Sequence, residues 1–88
     1  MPEISRFEGM IIYMQNMDVK QHHKPHIHVY YGNDEISVGI DGELLAGRLP
    51  IKKWRILSGW IALHEDELYD AWNKAVVGDH FDKIPPIR

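Results

Sequence analysis

Pro25-His26-Ile27-His28-Val29-Tyr30-Tyr31-Gly32-Asn33-Asp34-Glu35-Ile36-Ser37-Val38-Gly39-Ile40 decides the fold of this chain. Residues alternate between the two faces of a strand. That period separates Ile27, Val29 and Tyr31 from His26, His28 and Tyr30, and groups Ile36, Val38 and Ile40. The intervening turn decides where the histidines lie. A two-residue loop at Gly32-Asn33 or Asn33-Asp34 pairs Ile27 and Val29 with Ile36, Val38 or Ile40 and leaves the imidazoles on the opposite face. A three-residue loop places them among the isoleucines, a slip that sacrifices the apolar face. Gly-Asn and Asn-Asp tolerate the positive φ of a two-residue hairpin, so the first register is expected.

Gly9 to Gln15 is apolar, partly β-branched and bounded by polar residues, so it reads as the first strand. A polar loop from Asn16 to Lys24 follows and carries His22 and His23. Asp41-Gly42 signals a second hairpin into a strand over about Glu43 to Arg48, with Leu45 facing Val38. Leu49-Pro50 ends the sheet and opens a helix, because proline fits the first helical turn. Trp54, Leu57, Trp60, Ile61 and His64 keep helical spacing. Three acids then follow in Glu65-Asp66-Glu67, as at a fresh electropositive helix start. Leu68, Ala71, Trp72, Ala75 and Val76 continue the apolar period, and Gly78 is a stop. Two helices broken near His64 are expected, with one kinked helix as the alternative. Phe81, Ile84 and Ile87 are expected to hold an extended tail. The fold class is therefore α+β: a four-stranded antiparallel β-meander, then two C-terminal helices packed on one face. All 88 residues form one domain, with strands over about 9–48, helices over about 50–77 and the tail over 79–88.

Composition bounds the function. A chain this short builds one core and leaves much surface uncovered, which favours association with a copy or a partner. Without cysteine there are no disulfides, thiolate sites or thiol nucleophiles. No apolar run approaches the ~20 residues of a membrane span, and the N-terminus lacks a signal-peptide layout. A cytoplasmic location without membrane contact is the expectation. The net charge of −3 argues against a generally cationic nucleic-acid binder.

His22, His23, His26 and His28 form the one dense cluster of chemically versatile side chains. On a strand His26 and His28 point the same way. With His22 or His23 folded back they would supply three ligands for a divalent transition metal such as zinc, plus a water. Asp18 or Glu35 would be the carboxylate behind them. The same pair could also work without metal, one imidazole taking the 2′-hydroxyl proton of RNA and the other protonating the leaving oxygen. Arg48, Lys52, Lys53 and Arg55 would then contact phosphate if they lay beside the histidine face, and Tyr30 and Tyr31 could stack on bases. The plainer reading makes the imidazoles half-exposed sheet residues bonded to Ser37 or backbone, and the cations the solvated side of a helix. The three tryptophans fall with the apolar face and read as core. No nucleophile elbow, phosphate loop or dinucleotide fingerprint is present.

Pro2-Glu-Ile-Ser-Arg-Phe-Glu-Gly9, Pro25-His-Ile-His-Val29 with Tyr31-Gly32, Leu49-Pro50, His64-Glu-Asp-Glu-Leu68 with Trp72, and the Ile84-Pro85 tail together resemble a bacterial family of short proteins, the domain of unknown function 4160. The resemblance spans nearly the whole chain. His22, Pro25, His26 and His28 match its histidine–proline motif, whereas His23 and Lys24 depart from its usual Asn-Pro. It implies no catalytic residues or cofactor. Its genes often neighbour another small uncharacterised domain, which implies a toxin–antitoxin-like two-gene unit.

The resulting expectation is a binding component of such a unit, engaging a small protein encoded nearby, a second copy, or nucleic acid. The alternative is a histidine-dependent enzyme, metal-assisted or acting directly on RNA. Candidate site residues are His26 and His28 for catalysis, His22, His26 and His28 for metal, and His22, His23, Tyr30, Arg48, Lys52, Lys53 and Arg55 for binding.

Overall fold

A computed structural model describes residues 3–14 and 24–87. Five strands and two helices follow in the order β1 (Glu3–Phe7), β2 (Met10–Tyr13), β3 (His26–Tyr31), β4 (Asp34–Gly39), β5 (Leu44–Ala46), α1 (Ile51–Leu63) and α2 (Glu65–Val76). The strands form one antiparallel sheet in sequence order, β1-β2-β3-β4-β5. The α+β class and the meander are as expected, but the sheet has five strands rather than four. The additional strand is β1. It enters β2 through Glu8 and Gly9, both at positive φ, 53° and 77°, which gives the twist-matched turn of a two-residue hairpin. A β-bulge between Glu3 and Ser5 breaks its alternation, so its period is hard to read.

The central hairpin has the expected register. Tyr31 opposes Asp34 across Gly32-Asn33, Val29 opposes Ile36 and Ile27 opposes Val38. Directly opposed residues share a face, so Met10, Ile12, Val29, Ile27, Ile36 and Val38 line one side, and all six are buried. Leu44, rather than Leu45, opposes Val38, because the β4–β5 pairing shifts register between Ser37 and Val38.

The helices meet where the sequence places the break. His64 has φ −111° and ψ 23°, between helical residues on both sides. The hydrogen bonds His64 N–H to Trp60 O and Leu68 N–H to His64 O carry the spiral nearly through the kink. Glu65, Asp66 and Glu67 occupy the first turn of α2 and Lys74 its last, each matching the helix dipole. Gly78, at φ 76°, ends α2 with Gly78 N–H to Ala75 O and Asp79 N–H to Lys74 O, the paired bonds of a Schellman stop.

Beyond α2 the chain runs back to the β1 edge. Ile84 N–H donates to Ile4 O at 2.9 Å, and the Trp60 indole N–H donates to Pro85 O at 2.9 Å. Phe81 and Ile84 are buried in the same apolar cluster as the sheet and helices. Phe7 lies 5.1 Å from the Trp60 ring, so α1 covers the apolar face. Trp72 of α2, by contrast, lies against His26, which belongs to the other face. Leu68, Ala71 and Ala75 of α2 join the same apolar cluster as α1, so Trp72 is the side chain of α2 that also meets His26. Among the described residues no helix is long and apolar enough to cross a membrane.

Candidate functional site

The face opposite the isoleucines is built by the rows Arg6–Ile11–Tyr30–Glu35 and Tyr13–His28–Ser37, with His26 opposite Gly39. The register thus brings His26, His28 and Tyr30 together, as the sequence implies. It also seals the imidazoles: His26 is 1% exposed and His28 4%. Their rings meet edge to face at 5.1 Å, and the Trp72 ring lies 5.1 Å from His26 on another side.

Each imidazole is oriented through Nδ1. That of His26 is 2.9 Å from the Lys24 carbonyl, and because a carbonyl only accepts, Nδ1 carries the proton. Lys24 is itself clamped: Nζ lies 2.7 Å from Asp41 Oδ2 and also contacts Glu43 Oε1. Gly39 leaves room for this, since a Cβ there would lie 2.4 Å from Asp41 Oδ1. Ile40 N–H donates to Pro25 O, tying the same segment to the β4–β5 turn. The His26 backbone is therefore fixed from below by a surface ion cluster.

That cluster has a pH signature. The Lys24 ammonium holds the Asp41 carboxyl below its ordinary value, and the two acids raise Lys24. A carboxyl lowered by folding stabilises the native state above its unfolded value and loses that contribution as acid protonates it. Acidification below about pH 4 should therefore lower the melting temperature of the native chain more steeply than that of Lys24→Met, as followed by circular dichroism. Equal slopes would remove the ion cluster from the stability of this region.

His28 Nδ1 lies 3.4 Å from Ser37 Oγ and 3.8 Å from Glu35 Oε2. A serine–histidine–acid relay needs the hydroxyl and the carboxylate on different ring nitrogens. Here both approach the same one, so the trio is not a nucleophile relay. Nδ1 bonded to a carbonyl does suit an imidazole that ligates metal through Nε2. Among the described residues, however, no group of three His, Asp or Glu is placed to hold an ion. His22 and His23, the third ligand in the expected site, lie outside the described residues, as does Asp18.

Toward the Gly32 end the face opens. Tyr13 and Tyr30 are half-buried, 5.2 Å apart and edge to face. Burial, and then the neighbouring Glu35 carboxylate, push the Tyr30 phenol above its ordinary pKa. Ile11 is half-buried beside them, and the exposed Arg6 is paired with Glu3 at 2.8 Å.

Of the basic run, Lys53 lies away from this face. Lys53 Nζ lies 3.4 Å from Glu8 Oε1 and 5.5 Å from the Tyr31 ring centroid. Tyr31 belongs to the apolar side, so the sheet stands between Lys53 and the imidazoles. Arg48, Lys52 and Arg55 are exposed at and before the start of α1. Sequence reading missed Tyr13 and the role of Trp72. Tyr13 was findable, since it alternates with Met10, Ile12 and Met14 as Tyr30 does with Val29. Trp72 was not, because its helical spacing matches ordinary core.

Comparison with known proteins supplies one match. No curated protein and no solved structure matches the chain. The family model described as Domain of unknown function (DUF4160) matches residues 9–73, from the start of the β2 hairpin through the Trp72 turn of α2. The chain belongs to that family.

Proposed function

We propose that this protein is a protein-binding module, the binding half of a toxin–antitoxin-like pair, that engages a small protein encoded nearby. The contact surface is the open end of the histidine face: Ile11, Tyr13, Tyr30 and Glu35. One observation carries the reading. The imidazoles that would do chemistry are buried, His26 against Trp72 and His28 against His26, while the side chains left accessible beside them are aromatic, apolar and acidic, with Arg6 held by Glu3.

Tyrosine suits such a role, because it offers a large rigid apolar surface with a polar tip. The edge-to-face packing of Tyr13 on Tyr30, 5.2 Å between ring centroids, presets that geometry before any partner arrives. Glu35 is exposed, so the partner should present an apolar side chain flanked by lysine or arginine. Nucleic acid fits this face poorly. Its one exposed arginine is paired with Glu3, Glu35 would repel phosphate, and the Lys53 ammonium lies across the sheet.

The test is titration calorimetry of the chain against the product of the adjacent gene. Tyr30→Ala should weaken binding by about 10–100-fold, as expected when an aromatic anchor is removed, with little change in circular dichroism. Unaltered affinity for both Tyr13→Ala and Tyr30→Ala would exclude this face as the contact surface.

A further inference from the structure

The outward side of α1 carries a second surface, independent of the sheet face. Leu57, Trp60 and Ile61 turn inward, and Ile51, Lys52, Arg55, Gly59, Ala62 and Leu63 are exposed on the opposite arc of the helix. Ile51 is 63% exposed and Leu63 73%, one at each end of that arc. Gly59 sits in the middle of the arc, and beyond its own helix backbone nothing lies within 4 Å of where a Cβ would stand. An exposed glycine at a helix centre costs stability in a monomer but permits a second backbone to approach closely.

Charge says what approaches. Between Leu44 and His64 the chain carries Arg48, Lys52, Lys53 and Arg55 and no acid, whereas Glu65, Asp66, Glu67 and Asp70 follow at once and all four are exposed. The bonds His64 N–H to Trp60 O and Leu68 N–H to His64 O bracket the break at His64, so the acids follow at once beyond the C-terminal end of α1. Cations at one end and anions at the other, equally spaced about a small residue, are self-complementary under a two-fold rotation. With Gly59 on the axis, Arg55 faces Leu63 of the copy and Lys52 faces its Asp66. Every such contact occurs twice.

We propose that the chain forms a two-fold homodimer through antiparallel packing of α1 against α1 of a second copy, crossing at Gly59 and closed at each end by Lys52–Asp66 pairs. A helix of this length spans about 20 Å, so the interface is at the small end of specific contacts and the dimer is a weak, micromolar one. It leaves the tyrosine end of the sheet face out of the contact, so this dimer and the partner complex stand or fall separately.

Sedimentation equilibrium of the full chain tests it. A monomer–dimer equilibrium is expected in the micromolar range, loosening at high salt. Gly59→Gln should weaken it by about 10-fold or more through loss of close approach, while raising the melting temperature because glutamine favours helix. Lys52→Glu should weaken the dimer, and Lys52→Glu combined with Asp66→Lys should restore it. A chain that stays monomeric to millimolar concentration overturns the proposal. So does a dimer indifferent to Gly59→Gln, or one that the charge exchange fails to restore. If the chain remains monomeric but binds a single-stranded oligonucleotide through Lys52 and Arg55, the cations serve phosphate and the dimer falls.

Discussion

Trp60→Ala should cost about 3–5 kcal/mol, the range for deleting a large buried aromatic, and lower the melting temperature by roughly 15–30 °C for a chain of this size. Trp60 is fully buried, its ring lies 5.1 Å from Phe7 and 5.4 Å from His64, and its indole N–H donates to Pro85 O. One side chain thus joins β1, α1, the helix kink and the C-terminal strap. A domain of this length is typically stable by only about 4–13 kcal/mol, so the alanine variant approaches unfolding. Trp60→Phe separates the contributions. It keeps most of the ring and gives up chiefly the bond to the Pro85 carbonyl, worth about 1 kcal/mol. Thermal melts of both variants check this, and equal losses would mean that the strap bond, not the packing, dominates.

His26→Ala should be nearly as costly, at about 2–4 kcal/mol. The variant leaves a void beside Trp72 and His28 and removes the donor that the Lys24 carbonyl uses. His26→Phe refills the space but still orphans that carbonyl, so it should lie between alanine and native. Affinity for the partner, measured per folded molecule, should change little in either variant. An imidazole engaged in catalysis gives the opposite pattern, with modest effects on stability and loss of activity even in well-folded protein. Denaturant titration alongside calorimetry distinguishes the two.

The central hairpin was legible because two independent signals agree. The Ile27–Val29 and Ile36–Val38 alternations meet in phase only across a two-residue loop, and Gly32-Asn33 supplies one. The helix break was legible for a similar reason, since three acids cannot sit comfortably at the C-terminal end of one helix and fit well at the start of another. β1 escaped because its bulge puts Ile4, Ser5 and Phe7 all inward, which destroys the period of two, and because glutamate is an unusual occupant of positive φ before Gly9. The histidine face was placed on the correct side but given the wrong environment. Polar residues alternating with isoleucines read as solvent-facing, and only the tertiary arrival of Trp72 from a distant helix shows that His26 is covered. Local pattern reports which way a side chain points, not what arrives to cover it.

The imidazoles of His26 and His28 belong to the packed interior rather than to a working surface. Histidine-selective acylation with diethylpyrocarbonate, read residue by residue by tandem mass spectrometry, measures this directly. His80, with a side chain 88% exposed, should modify at once, while His26 and His28 should resist until denaturant unfolds the chain. Modification of His26 or His28 in the native protein at the rate of His80 would contradict it.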